Sequence, residues 1–179
     1  MGRQLIPAGS QRDDCVMTPL HLARILVKHF KPCNKILEPC KGSGNFVKAI
    51  EYEVHVGYSI QTCELSEGQD FFNFEQKVDW IITNPPYSQM RKFIQHSMKV
   101  ANNIVFLTTI NHLWLRARIR DIEAAGFGIK EIVIFETPES FPQSGFQIGA
   151  FHLKKNYVGD ISFRRLDTRY SNEQTSNPA

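Results

Sequence analysis

The sequence predicts an α/β fold in which helices flank a mostly parallel sheet. Two observations indicate this fold: short β-prone runs alternate with helical patterns along the 179 residues, and loops rich in glycine or proline follow two of these runs. A third is the short connection between the last two runs, which is typical of an antiparallel hairpin. Hydrophobic residues make up 42% of the chain, enough for one domain with its own core.

Six strands are expected, with helical patterns between most of them. They cover approximately residues 35–38, 58–64, 79–83, 104–109, 130–135 and 147–154. Gly126 interrupts the helical pattern before the fifth strand, and a short connection through Pro142 and Gly145 joins the last two. The pattern fades beyond about Asp160, so we expect one domain over residues 1–165 and a polar, flexible tail over residues 166–179.

A helix is predicted to precede the first strand and to end near Phe30. Thr18 is suited to the N-cap position and Pro19 to the first turn. Its apolar residues recur at helical spacing and predict one buried face, formed by Leu22, Ile25, Leu26 and Phe30.

The residues that close the third strand carry the clearest chemical signal. Pro85 and Pro86 stop the strand and stiffen a loop at its carboxyl end, where ligands bind in open α/β sheets. The Asn84 side-chain oxygen and the Pro85 carbonyl can both accept hydrogen bonds from an amino group, and Tyr87 supplies a flat face for stacking. A tight turn would explain the prolines but not the asparagine and the tyrosine.

A second loop, Glu-Pro-Cys-Lys-Gly-Ser-Gly-Asn-Phe at residues 38–46, follows the first strand. Gly42 and Gly44 permit positive φ and let a ligand approach the backbone, and Glu38 presents a carboxylate to a cation. The loop lacks the Gly-Lys-Ser/Thr of a phosphate loop and the third glycine of a dinucleotide loop. An ordinary turn is the alternative reading of the glycines.

Two acidic residues follow the second strand. Glu64 lies 26 residues after Glu38, a spacing similar to that of the acidic residue that accepts hydrogen bonds from ribose hydroxyls in nucleotide-binding folds. Asp70, beside Phe71, is suited to an adenine edge. The alternatives are a solvated glutamate and an aspartate that caps its own loop.

Residues 38–46 and 84–87 resemble motifs I and IV of S-adenosylmethionine-dependent amino-methyltransferases, particularly the N6-adenine DNA methyltransferases. Residues 13–19 resemble motif X, which precedes motif I in the gamma-type order of this family. Residues 108–111 and 136–141 resemble the substrate-side loops of small phage-type members. The resemblance spans roughly residues 13 to 155, and only about two dozen residues remain for the target-recognition domain of larger members.

The resemblance implies a Rossmann-like class I methyltransferase fold, with a seven-stranded sheet that has an antiparallel hairpin at its edge. It implies a catalytic loop of Asn84, Pro85, Pro86 and Tyr87, and a substrate-binding set of Tyr87, Asn111 and Phe141, although Phe141 could equally belong to the core. The implied contacts to S-adenosylmethionine are Thr18, Pro19, Glu38, Pro39, Cys40, Gly42, Gly44, Phe46, Glu64, Leu65, Asp70, Phe71 and Asn84.

The implied reaction transfers a methyl group to the N6 amine of an adenine that is extruded from a duplex or single-stranded. It requires neither a strong base nor a metal. The alternatives are methylation of RNA adenine, methylation of a protein glutamine, and a non-catalytic subunit with this fold. Without a target-recognition domain, the chain would read a very short site, act on single strands, or depend on a specificity partner or a second copy.

Charge and cysteine content are compatible with this reading but do not decide it. The net charge of +3 is too small to demand nucleic acid, although the arginines of residues 114–120 could contact a phosphate backbone. The four cysteines show no Cys-x-x-Cys spacing and the six histidines form no ligand pair, which argues against zinc. With no secretory signal and no apolar run near 20 residues, we expect a cytoplasmic protein, in the host cytoplasm if phage-encoded, and no membrane partner.

Overall fold

The computed structural model describes residues 16–141 and 145–168. Residues 13–15 of the motif X resemblance, Pro142 and residues 169–179 of the expected tail lie outside the described residues. The described helices are α1 (Leu20–Phe30), α2 (Asn45–Glu53), α3 (Met90–Val100) and α4 (Arg116–Ala124). The strands are β1 (Asn34–Glu38), β2 (Tyr58–Thr62), β3 (Val78–Thr83), β4 (Ala101–Thr109), β5 (Phe127–Ile134), β6 (Ile148–Lys155) and β7 (Ser162–Arg165).

The seven strands form one sheet in the order β2-β1-β3-β4-β6-β5-β7. Strands β1 to β4 pair in parallel, β6 is antiparallel to both β4 and β5, and β7 is parallel to β5. The predicted α/β fold, with a mostly parallel seven-stranded sheet and an antiparallel hairpin, is confirmed. Because β1, β2, β3 and β4 run in the same direction, the loops that follow them meet at one edge of the sheet.

The seventh strand is an element that the sequence pattern missed. Strand β7 pairs with β5 from Glu131↔Ser162 to Ile134↔Arg165, and the Leu166 N–H extends the contact to the Ile134 carbonyl at 2.8 Å. The hairpin of β5 and β6 is therefore not at the edge of the sheet, because β6 lies between β4 and β5 and β7 flanks β5. Most of β7 is exposed, so it lacks the apolar alternation by which a strand is identified.

Helix α1 begins one residue later than its capping pattern predicts. Pro19 occupies the N-cap position with ψ 142°, and no side chain caps the helix. Thr18 is therefore not the cap; its carbonyl accepts a hydrogen bond from the Asn45 amide nitrogen at 2.8 Å. The predicted apolar face is otherwise present, since Leu22, Leu26 and Phe30 are buried.

Helix α4 begins at Arg116, so Trp114 and Leu115 lie before the helix and not inside it. Leu115 is the N-cap with extended backbone, and both side chains are exposed. The helix ends at Ala124, and Gly126 follows with φ 74°, as the predicted break requires.

The sheet separates two hydrophobic clusters because successive side chains of a strand point to opposite faces. Helices α1 and α2 cover one face, whose strand residues include Ile36, Ile82, Val105 and Leu107. Helices α3 and α4 cover the other, whose strand residues include Leu37, Ile81, Ile104 and Phe106. Both faces of the central strands are covered, which holds the loops at their carboxyl ends on a rigid base.

Within residues 16–141 and 145–168, no helix is both long and apolar enough to cross a membrane.

Candidate active site

Three consecutive residues before α1 connect the loops at the carboxyl edge of the sheet. The Val16 carbonyl accepts a hydrogen bond from the Asn84 amide nitrogen at 2.8 Å. The Thr18 carbonyl accepts the bond from Asn45 at the start of α2. Between them, the Met17 sulfur lies 3.0 Å from the position that a Cβ on Gly42 would take. The segment of residues 16–18 therefore fixes the loop of residues 38–46 and the loop of residues 84–87 relative to each other.

Glu38 is a buried carboxyl group at the end of β1, with only 1% of its surface exposed. Its Oε1 accepts hydrogen bonds from the Cys40 N–H at 3.0 Å and from the Thr83 hydroxyl, while its Oε2 is buried without a hydrogen-bond partner. Burial raises the pKa of Glu38 to about 8, against the opposing effect of the bonds from Thr83 and Cys40. Glu38 is therefore mostly protonated at neutral pH and has one free oxygen at the site.

The loop of residues 38–46 leaves open space beside its backbone. Gly42 and Gly44 have φ values of 47° and 73°, and Gly44 is the N-cap of α2. A Cβ built on Gly44 would meet nothing within 4 Å. The Gly44 N–H donates to the Lys41 carbonyl at 2.7 Å, and the Lys41 N–H donates to the Cys63 carbonyl at 3.1 Å, which fixes the loop against the end of β2.

Glu64, which follows β2, binds the backbone of the loop of residues 38–46. Its Oε2 accepts the Gly42 N–H at 2.8 Å, and its Oε1 accepts the N–H and the hydroxyl of Ser66 at 3.2 and 2.8 Å. Burial opposes ionisation of Glu64, but the bonds from Gly42 and Ser66 outweigh it and lower its pKa. Next to this contact, the Lys41 ammonium and the Glu67 carboxylate form an ion pair at 2.6 Å.

Asn84 follows β3 directly and is half-buried. Because its Nδ2 donates to Val16, the orientation of the amide is fixed, and its Oδ1 is covered and has no hydrogen-bond partner. Thr83, the residue before it, donates to Glu38, so the two loops are also joined through buried side chains.

The two prolines and Tyr87 lead from β3 into α3. The Pro86 carbonyl accepts the Gln89 N–H at 3.0 Å, which forms a short 3-10 turn at residues 87–89. The Tyr87 ring packs partly against the core and lies 5.5 Å from the His112 ring, measured between centroids.

The structure brings most of the predicted residues to this edge, but not all of them in the expected role. Phe141 is 2% exposed and belongs to the core, so its ring is not a stacking surface here. Phe71 is also buried, stacked on Phe93 with centroids 5.2 Å apart. Asp70 caps a 3-10 turn by accepting the Phe72 N–H at 2.9 Å, the alternative that its sequence context left open.

The remaining predicted residues differ mainly in exposure. Pro39 and Phe46 are buried. Cys40 is half-buried, and burial raises the pKa of its thiol. Leu65, by contrast, is 72% exposed beside Glu64, and Asn111 is exposed after β4.

Sequence reasoning missed several residues that hold the site together. The contact of Asn84 is to the main-chain carbonyl of Val16, which no side-chain pattern reveals. Thr83 reads as an ordinary strand residue, and Asn45 as part of a helix start. A polar residue at the very end of a central strand was the one available signal for Thr83.

Among the described residues, no cluster of histidine, cysteine, aspartate or glutamate could hold a metal ion.

Comparison with known proteins finds relatives in structure only. No protein-family model and no curated protein matches the chain. Similar solved structures include a protein from Listeria monocytogenes provisionally assigned to the class I S-adenosylmethionine-dependent methyltransferases. It has a TM-score of 0.64 and 17% identity, over 89% of this chain and 68% of the other.

Two further structures widen the comparison. The methyltransferase subunit of a type I restriction-modification system from Streptococcus thermophilus matches with a TM-score of 0.64 and 15% identity, over 85% of this chain and 47% of the other. A protein from Pyrococcus horikoshii provisionally assigned as an RNA methyltransferase matches with a TM-score of 0.57 and 13% identity, over 75% of this chain and 82% of the other. The chain therefore has the Rossmann-like fold of class I methyltransferases.

We predict that Glu38 makes the stability of the ligand-free protein decrease as the pH rises. Its pKa is about 8 in the folded protein, against an ordinary value of 4.5. The stabilisation by protonated Glu38 is complete below pH 4.5 and is lost between pH 4.5 and about 8, because Glu38 ionises at a lower pH in the unfolded chain than in the folded protein. The free energy of unfolding should fall by about 1.4 kcal/mol per pH unit in this range through Glu38 alone.

Denaturant unfolding of the wild type and of Glu38→Gln at several pH values tests this. The difference between the two proteins should shrink or change sign as the pH rises from about 5 to about 8. Glu51→Gln, an exposed carboxylate on α2, is the control for the loss of an acidic group. Parallel curves for wild type and Glu38→Gln would show that Glu38 is ionised throughout.

Proposed function

We propose that this protein transfers a methyl group from S-adenosylmethionine to the exocyclic N6 amine of adenine in nucleic acid, with DNA as the foremost substrate. The observation that carries the proposal is the Asn84 amide at the end of β3. Its nitrogen is fixed by Val16, and its oxygen has no partner. An oriented acceptor next to a loop with space for a cofactor is what this reaction needs.

The loop residues fit the cofactor. Glu38 Oε2 is buried without a partner, which is unfavourable, and the ammonium or sulfonium of S-adenosylmethionine would favour the ionised form of Glu38 and interact with this oxygen. The open space at Gly44 admits a ligand close to the backbone. A carboxylate has about four lone-pair positions, and three on Glu64 are used, which leaves room for a ribose hydroxyl. We expect the exposed Leu65 to pack against the nucleoside.

Bound S-adenosylmethionine would supply a methyl group on a good leaving group, so the work left to the protein is to prepare and orient the acceptor. The lone pair of an adenine amine is delocalised into the ring. Hydrogen bonds from both amino hydrogens, to Asn84 Oδ1 and to the Pro85 carbonyl, favour the pyramidal nitrogen of the transition state over the planar ground state. Because Asn84 Oδ1 is covered, the groups around it must part before the amine can reach it.

Tyr87 is the residue that we assign to the target base. Its ring lies at the end of the Asn84 loop, where a base held by the two acceptors could stack on it. Asn111, exposed after β4, is a second candidate contact. The buried ring of Phe141 is not included in this proposal.

A nucleic-acid substrate is supported by the kinds of protein that share the fold, which include a restriction-modification methyltransferase subunit and a protein assigned to RNA methylation. The chain spans 47% of the length of the former. Target recognition through a specificity partner or a second copy is part of the proposal. We expect the reaction to occur in the cytoplasm. Adenine in RNA is the second candidate substrate.

One assay separates these candidates. Labelled S-adenosylmethionine is incubated in parallel with duplex DNA, single-stranded DNA, RNA and a glutamine-bearing protein, and the modified nucleoside or residue is identified. Label in N6-methyladenine of DNA is the expected result. Label only in RNA or in glutamine would reassign the substrate, and cofactor binding without any transfer would indicate a non-catalytic subunit.

Asn84→Ala should lower turnover by roughly two to three orders of magnitude, as the loss of one preorganised polar contact does in other enzymes. Cofactor affinity should stay nearly intact, because Asn45 still holds the segment of residues 16–18. Turnover and equilibrium binding of S-adenosylmethionine are measured on the same preparation. Asn73→Ala, at an exposed position, is the control. Equal losses of turnover and binding would mean that the loop is only structural.

Gly42→Val should weaken cofactor binding, because a side chain at φ 47° is strained and its Cβ would push on Met17. Glu64→Ala should weaken it through the lost ribose acceptor. Gly57→Val is the matched control, since Gly57 has φ 70° and precedes β2 at the opposite edge of the sheet. Isothermal titration with S-adenosylmethionine provides the measurement. Wild-type affinity in both Gly42→Val and Glu64→Ala would place the pocket elsewhere.

A further inference from the structure

Arg118 is the one arginine of α4 that points toward the site. Arg116 and Arg120 are exposed, whereas Arg118 is half-buried and its Nη1 donates to the His112 carbonyl and lies 3.3 Å from His112 Nδ1. His112 ends the short 3-10 turn at residues 110–112, directly after β4. Arg118 therefore holds both the backbone and the ring of this residue.

The position of Arg118 has an energetic cost that a surface arginine would avoid. Its Nε is buried without a hydrogen-bond partner, and within the described part of the chain no carboxylate forms an ion pair with it. Burial, together with the nearby Arg91 guanidinium, lowers the pKa of Arg118. The neighbouring carboxylate Asp121 is instead bound to Arg91, at 2.7 Å. A half-buried cation without a counter-charge requires some compensating role.

The contact of His112 with Tyr87 suggests what that role is. The two ring centroids lie 5.5 Å apart at an angle of 49°, within the range of favourable aromatic pairs. Because Arg118 stays protonated, His112 Nδ1 can only accept its hydrogen, which fixes the imidazole in one tautomer and one orientation. The arginine, the imidazole and the phenol ring thus form a connected series from α4 to the motif IV loop.

We propose that Arg118, acting through His112, is a positioning residue that holds the Tyr87 ring ready to stack on the target base. The inference rests on the function proposed above, because it assigns Tyr87 to the acceptor and not to the cofactor. It follows that Arg118 affects the use of nucleic acid and leaves the cofactor pocket, on the far side of β3, unaffected. It also gives Arg118 a different role from the exposed arginines of the same helix, which could contact only the phosphate backbone.

The first test observes the Tyr87 ring without relying on activity. In protein labelled with 13C on its tyrosine rings, the Tyr87 signal is assigned by its loss in Tyr87→Phe. Arg118→Gln should shift and broaden this signal and leave those of Tyr58 and Tyr157 in place, while Arg116→Gln should change none of them. An unchanged Tyr87 signal in Arg118→Gln would overturn the proposal.

The second test separates acceptor from cofactor in kinetics. Arg118→Gln should raise the KM for the nucleic acid by about tenfold, the equivalent of one lost hydrogen bond, while the Kd for S-adenosylmethionine stays within about twofold. Arg118→Lys, which keeps the charge and a donor, should recover part of the loss. If Arg116→Gln and Arg118→Gln have the same KM, Arg118 contributes only its positive charge, as Arg116 does, and the proposal is contradicted.

Two further results keep these tests decisive. If Arg118→Gln does not fold, as judged by thermal unfolding, His112→Ala replaces it and should shift the same Tyr87 signal and raise the same KM. If the wild type methylates no acceptor at all, the proposed function fails, whereas the ring signals still decide whether Arg118 positions Tyr87.

Discussion

The hydrogen bond from the Asn84 amide nitrogen to the Val16 carbonyl is the interaction on which the geometry of the site depends. An asparagine amide can present either its nitrogen or its oxygen, and this bond selects the orientation in which the oxygen remains for a ligand. It also attaches the segment before α1 to the end of β3, while Thr18 attaches the same segment to Asn45. Two loops separated by about 40 residues of sequence thereby form one structure.

The electrostatics of the site follow from the same arrangement. Glu38 is buried at the junction of the loops, where Thr83 and the Cys40 N–H bind one of its oxygens and leave the other without a partner. Burial raises the pKa of Glu38 and so favours its neutral form in the free protein, whereas a cationic ligand would favour its ionised form. Glu64 is the opposite case, since its hydrogen bonds favour the ionised form before any ligand arrives. In the proposed function, the two carboxyl groups would therefore contact different parts of one ligand.

Sequence alone was sufficient for the fold class, six of the seven strands and the positions of the two loops that make up the candidate site. Glycine and proline at strand ends have direct backbone consequences, and this is why the sequence predicts the loops at residues 38–46 and 84–87. Val16 could not be found because it contributes a backbone carbonyl, and Arg118 because exposed and inward-facing arginines look alike in sequence. For Phe141 the sequence left both a substrate contact and a core position open, because an aromatic residue serves either, and the structure buries its side chain. Strand β7 was missed because its exposed residues lack an apolar pattern.

A structure of the protein bound to a non-reactive S-adenosylmethionine analogue and a short adenine-containing single strand would test the central claim most directly. The account predicts the analogue against the loop of residues 38–46, with the adenine N6 within hydrogen-bond distance of Asn84 Oδ1 and the Pro85 carbonyl, and the base stacked on Tyr87. An analogue bound elsewhere, or an Asn84 amide whose oxygen stays covered while the adenine lies outside the loop, would contradict it.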